Sequence, residues 1–191
     1  MATATSPDAA SDRTQRPPRE RYPKLAALID YLEKAEGRID LDILAAHLAD
    51  LKVTRQDFSD CCIFGARGYR RNTISRNDHY ELLALCWRSG DCTAIHDHNG
   101  HSCAFRVIEG TGTEIRFKVT ASGLVCPVET HTMHPDYICA ARDEDIHQVA
   151  NMQPADTDLI TLHIYSPPIK KMNTYQFAQA VNSPYEAEWV I

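Results

Sequence analysis

The segment Cys86-Trp87-Arg88-Ser89-Gly90-Asp91-Cys92-Thr93-Ala94-Ile95-His96-Asp97-His98-Asn99-Gly100-His101-Ser102-Cys103-Ala104-Phe105-Arg106-Val107-Ile108-Glu109-Gly110 has His96-Asp97-His98 at its centre. Residues two apart in a strand point to one face, so both imidazoles aim at a common point while Asp97 turns away. Two neutral imidazoles placed this way chelate Zn, Fe, Cu or Ni. Ala94 and Ile95 before the pair, and Ala104 and Phe105 after it, suit a buried pocket. A His-x-His pair also occurs in ordinary cores and on surfaces, so the rest of the chain has to carry the reading.

The 191 residues are enough for one domain with a substantial core. A chain 43% hydrophobic and 24% charged reads as soluble and globular. Its formal charge of −6 argues against nucleic acid as a partner, because phosphate binding wants a basic surface. No apolar run approaches the length of a membrane span, and the N-terminus lacks the apolar core of a secretory leader. Seven cysteines, an odd number without the spacing of a disulfide framework, fit free thiols in a reducing compartment. The expectation is a cytoplasmic protein with no nucleic-acid or membrane partner.

Residues 1–21 show no periodicity and read as a disordered tail. Their arginines would fit a mitochondrial address, but Asp8, Asp12 and Glu20 oppose it. From Pro23 the pattern changes. Leu25, Leu28, Ile29 and Leu32 follow helical spacing, as do Leu41, Leu44, Ala45, Leu48 and Leu51, with Gly37 between the two helices. Thr54 with Asp57 resembles the capping box of a short third helix. A helical cap is therefore expected over 22–60. After Gly65 the helical period vanishes, and strands are expected at 69–75, 80–87, 93–98, 102–109, 113–119, 124–128, 137–140, 147–151 and 159–165. Short strands punctuated by Gly, Asn, Asp and Pro point to an antiparallel sandwich or barrel over 66–170. The last strand alternates well and puts Thr161, His163 and Tyr165 on one face. Residues 171–191 form an extension without a clear period.

The spacing is specific. Gly90 is followed by five residues, then His96-x-His98, four residues, Cys103, six residues and Gly110; His147 comes later, with three residues before Asn151. This resembles the two signature motifs of the cupin superfamily, small jelly-roll barrels that hold a metal inside. That superfamily usually places a glutamate ligand where this sequence has Cys103, and the second motif here lacks its upstream glycines. Among cupins the chain is most similar to the thiol dioxygenases, and within them to the cysteine dioxygenases. Four blocks carry the resemblance, in the family's order: Tyr69-Arg70-Arg71-Asn72, Cys86 to Gly110, His147-Gln148-Val149-Ala150-Asn151, and Leu162-His163-Ile164-Tyr165-Ser166-Pro167-Pro168. The expected fold is a mostly β cupin (jelly-roll) barrel with an N-terminal helical cap, a single domain over 22–191, and a monomer.

The resemblance implies that His96, His98 and His147 bind Fe(II). Three neutral ligands leave more positive charge than the two-His-one-carboxylate set of many iron oxygenases, which favours an anionic thiolate substrate. It makes Arg71 the residue that holds the substrate carboxylate with its planar fork. Related 3-mercaptopropionate dioxygenases carry Gln there, so Arg71 points to L-cysteine. Tyr69, on the same face as Arg71, lines the pocket. Tyr165 hydrogen-bonds the substrate or the oxygen, and His163 holds it in place. The family has Ser where this chain has Thr161. In mammalian members a cysteine at the Cys103 position forms a thioether with this tyrosine, whereas many bacterial members carry glycine and cannot. The implied reaction adds both atoms of O2 to the sulfur, giving a sulfinic acid.

Other candidates read as structural. Arg70 is a surface residue, His101 belongs to the rim or surface, and His131 and His134 form a loop pair. His47 sits in a helix, His79 in a turn, Trp87 in the core, and Cys86 and Cys92 are buried thiols. Three rival functions stay open: a dioxygenase of another small thiol, a zinc hydrolase built on three His and a water, and a non-catalytic cupin that binds a small ligand.

Overall fold

The computed structural model describes residues 16–98, 101–121, 123–141 and 146–176. The expectations for residues 1–15 and 177–191 lie outside the described residues. Helix α1 (Pro18–Arg21) occupies the end of the stretch read as a tail, and a 3-10 turn leads into α2 (Ala26–Leu32). α2 buries Leu28, Ile29 and Leu32, the stripe that its spacing predicts. Helix α3 (Leu41–Asp50) starts at Asp40, whose carboxylate accepts the Asp42 N–H at 2.8 Å. Thr54 and Asp57 form the expected capping box at the head of the 3-10 segment Arg55–Cys61.

Among the described residues ten strands follow: β1 (Arg70–Arg76), β2 (Glu81–Trp87), β3 (Ile95–His96), β4 (Ser102–Glu109), β5 (Gly112–Val119), β6 (Val125–Met133), β7 (Ile138–Ala141), β8 (Ile146–Ala150), β9 (Leu159–Ser166) and β10 (Thr174–Tyr175). They form two five-stranded antiparallel sheets, in the orders β1-β2-β9-β4-β7 and β10-β3-β8-β5-β6. β2 and β9 are buried on both faces, which explains why they read as almost continuous apolar runs. On the outer face Leu82, Ala84, Cys86, Ile160, Leu162 and Ile164 pack under the helices. On the inner face Leu83, Leu85, Trp87, Leu159 and Tyr165 join Cys103 and Phe105 of β4. One core thus lies beneath the cap and one inside the barrel, and a smaller third cluster of Ile95, Phe117 and Val125 belongs to the other sheet.

Arg106 couples cap to barrel. Buried on the outer face of β4, it donates to the Leu48 and Leu51 carbonyls at 2.6 and 2.7 Å and to Asp136 at 2.5 Å. A guanidinium here satisfies the orphan carbonyls at the C-terminal end of α3 and complements the helix dipole. Arg106→Met keeps the stem but leaves those carbonyls unpaired. It should lower unfolding stability by about 2–3 kcal/mol, read as a shift of the urea midpoint. An unchanged midpoint would show that the cap docks by apolar contact alone.

Several expectations need correction. The strand at 93–98 shrinks to Ile95–His96, the one stretch where β3 is sandwiched between β8 and β10. His131 lies in a strand, because β6 runs through to Met133. β6 lies at the sheet edge, where most of its side chains face solvent, so it carries no apolar alternation, and Pro127 sits beside a register shift. Cys92 is exposed and sits at an isolated bridge to Ala150. The extension contributes β10. No helix among the described residues is long and apolar enough to cross a membrane.

Candidate metal centre and pocket

The inner faces of the two sheets meet over one cavity. Its walls include all eight residues singled out in the sequence: Tyr69, Arg71, His96, His98, Cys103, His147, His163 and Tyr165. Labour is divided between the sheets. The β3–β8 side supplies the imidazoles, and the β1–β2–β9–β4 side supplies Arg71, Cys103, His163 and Tyr165.

β3 places His96 directly opposite His147 of β8, and His98 follows on the same face of the chain. The three rings are buried, with centroids 4.7 to 5.3 Å apart, and one nitrogen from each lies within 4.8 Å of the others. Outer hydrogen bonds fix two of the rings. His96 Nδ1 donates to the Ala94 carbonyl at 2.9 Å, and His147 Nδ1 donates to Glu114 at 2.8 Å. Both therefore turn Nε2 inward as a lone-pair donor. Burial, followed by the neighbouring His147, pushes His96 down to about 4; burial and both neighbouring imidazoles push His98 down to about 3. Near neutral pH these two rings are uncharged, the state a metal requires. Three converging imidazole nitrogens fit a first-row transition ion.

Glu114 was not visible as a site residue in the sequence. It sits on β5, almost fully buried, where burial would raise its pKa, but the bond to His147 and the nearby Arg116 outweigh that and hold it ionised. Arg116 Nε donates to its second oxygen at 3.2 Å. A carboxylate behind a ligating imidazole orients the ring and raises its basicity.

On the opposite wall, register pairs Cys103 of β4 with Tyr165 of β9, and both side chains line the cavity. A buried chain of polar groups runs behind them. Trp87 Nε1 donates to Thr161 Oγ1 at 3.0 Å; Thr161 lies 2.9 Å from His163 Nε2; His163 Nδ1 lies 3.3 Å from the Tyr165 oxygen. Trp can only donate, so the Thr161 hydroxyl accepts from it and meets His163 Nε2 with its own proton or its second lone pair. The chain of contacts through Thr161 and His163 ends on the Tyr165 hydroxyl. Burial, then the charge of Arg71, holds His163 well below its ordinary pKa and therefore neutral.

Arg71 lies over the Tyr165 ring, 5.1 Å from its centroid, and donates to Glu81 at 3.2 Å. Glu81, a second residue the sequence reading missed, also accepts from Thr73 at 3.4 Å and lies 3.7 Å from Arg76. Trp87 is core, as expected, but it also lines the cavity, stacked on Tyr69 at 4.2 Å. His101 stays out of the trio and bonds the Pro167 carbonyl at 3.1 Å.

A trio of imidazoles inside a barrel made of two such sheets defines a cupin. Within that class, residues 13–178 match the family model for cysteine dioxygenase type I, and the chain belongs to that family. Cysteine dioxygenase type 1 of Rattus norvegicus is 26% identical over 157 residues, 79% of this chain and 78% of that protein. The Danio rerio protein of the same name is 27% identical over 126 residues, 63% of this chain and 62% of that protein. Among solved structures, an uncharacterised Klebsiella pneumoniae protein with a double-stranded β-helix domain covers 61% of this chain and is itself 87% covered, at 14% identity and TM-score 0.48.

Proposed function

We propose that the chain is an Fe(II)-dependent thiol dioxygenase that converts L-cysteine and O2 to cysteine sulfinate. One observation carries the reading: three converging imidazoles face Arg71 and Tyr165 across a single cavity. Iron bound to His96, His98 and His147 supplies the redox chemistry through which O2 reacts with a thiolate. Arg71 holds the substrate carboxylate and so fixes where the sulfur sits. Tyr165, held by His163, offers its hydroxyl to the bound substrate. Leu85, Phe105 and Val149 keep the cavity walls apolar and limit water. The overall change is balanced: R–S⁻ plus O2 gives R–SO2⁻, with no other reductant. The family name of the relatives supports the same substrate.

The test is oxygen uptake by Fe(II)-loaded protein with L-cysteine, the product identified by mass spectrometry. One O2 consumed per sulfinate formed is the expected result. Uptake with 3-mercaptopropionate but not cysteine would keep the metal reading and overturn the substrate. No uptake with any thiol, in protein shown to hold iron, would favour the zinc hydrolase or non-catalytic cupin readings.

The Cys103–Tyr165 register supports a thioether between them. Joining the thiol to the ring removes two hydrogens, which O2 takes up as the oxidant. Protein turned over aerobically should contain a species lighter by about two hydrogens after denaturation and thiol reduction, absent from Cys103→Ser. An unmodified mass after prolonged turnover would refute the crosslink.

A further inference from the structure

Asp97 stands between two of the three imidazoles, facing away from them and against the C-terminal extension. Asn173 Nδ2 donates to both of its carboxylate oxygens at 3.1 Å, and the Tyr175 hydroxyl donates to Oδ2 at 2.6 Å. The Asp97 N–H donates to the Asn173 carbonyl at 3.3 Å. The backbones are tied as well, Thr174 opposite His96 and Tyr175 opposite Ile95. Met172, the residue before Asn173, lines the cavity.

These contacts converge on the weakest part of the centre. β3 is only two residues long, and His98 lies beyond it. On its other side β3 shares a single registered pair, His96 with His147, with β8. His98 Nδ1 is buried and has no hydrogen-bond partner among the described residues, so nothing on its own ring orients it as Glu114 orients His147. Its direction is set by the backbone, and the backbone at Asp97 is held from residues 173–175.

From this geometry we propose that Asn173 and Tyr175 are positioning residues for the metal centre. Acting through Asp97, the strap of residues 172–175 holds the His96–His98 segment in its chelating shape, so that metal retention depends on a segment far along the chain. The inference rests on the reading of the three imidazoles as a metal site. Orienting contacts of this kind are worth about 10- to 100-fold in metal affinity.

Tyr175→Phe removes one hydroxyl from a partly exposed ring. Fe(II) affinity should be measured anaerobically by competition with a chromogenic chelator, and repeated with Co(II). Tyr175→Phe should bind both ions about 10- to 100-fold more weakly, while Thr174→Ala, which changes an exposed side chain on the same strand, binds like wild type. In an Asp97→Asn background, Tyr175→Phe should add little, because the two changes break one link. The melting temperature of the metal-free Tyr175→Phe protein should match that of metal-free wild type. Equal affinity in wild type and Tyr175→Phe would overturn the proposal, as would full additivity with Asp97→Asn or an equal loss in Thr174→Ala. Wild-type protein that binds neither ion would overturn the metal reading itself, and the strap proposal with it.

Discussion

Arg71→Ala should raise KM for L-cysteine by about 30-fold or more. Truncating one partner of a hydrogen-bonded charge pair costs about 2–5 kcal/mol, and every 1.4 kcal/mol is tenfold. The lower end applies because the Arg71 side chain keeps 32% of its exposure and already shares its fork with Glu81. The comparison that isolates the carboxylate uses cysteamine, which lacks one: its kcat/KM should change far less than that of cysteine. An equal fall for both thiols would mean that Arg71 shapes the pocket without binding the substrate. Glu81 makes this sharper. Its carboxylate is nearly buried and leans on Arg71, Thr73 and Arg76, so Arg71→Ala also takes one of these partners from a nearly buried charge. Some loss of stability should accompany the kinetic effect.

Legibility in the sequence followed the range of the interaction. His96 and His98 could be read together because strand geometry alone puts residues two apart on one face. The same period placed Thr161, His163 and Tyr165 in a row, and the structure adds the hydrogen bonds that link them. His147 is fifty-one and forty-nine positions from its partners, and no local pattern marks it; only the family resemblance picked it out. Glu114 had no marker of either kind, since a lone glutamate in an alternating strand reads as a solvent-facing residue. Its burial follows from β5 lying between β6 and β8, a pairing that local periodicity does not encode. Asn173 and Tyr175 were missed for the same reason: a two-residue strand has no period, and its meaning comes from Asp97, seventy-six and seventy-eight positions earlier. The misplacement of His131 and Cys92 has a different source. Edge strands and irregular bridges bury little, so hydrophobic pattern cannot find their limits.

Glu114→Ala should weaken metal binding about 10- to 100-fold and also cost about 1–3 kcal/mol of stability. Both effects arise from one bond. His147 Nδ1–H has the Glu114 carboxylate as its acceptor at 2.8 Å, in a part of the barrel where both side chains are almost fully buried. Without that acceptor the ring keeps a buried donor with nothing to receive it, and nothing requires the proton to stay on Nδ1. A tautomer with the proton on Nε2 would turn an N–H toward the centre in place of a lone pair. Glu114→Gln separates orientation from charge: the amide oxygen can still accept from Nδ1, but the negative charge that Arg116 faces is gone. If orientation dominates, Gln should recover most of the affinity that Ala loses. If the carboxylate acts mainly by making the imidazole more basic, Gln should resemble Ala. Chelator competition gives the affinities, and urea unfolding of the metal-free variants gives the stabilities. Wild-type affinity in Glu114→Ala would remove the carboxylate from the metal centre and leave it as a structural partner of Arg116 within the sheet.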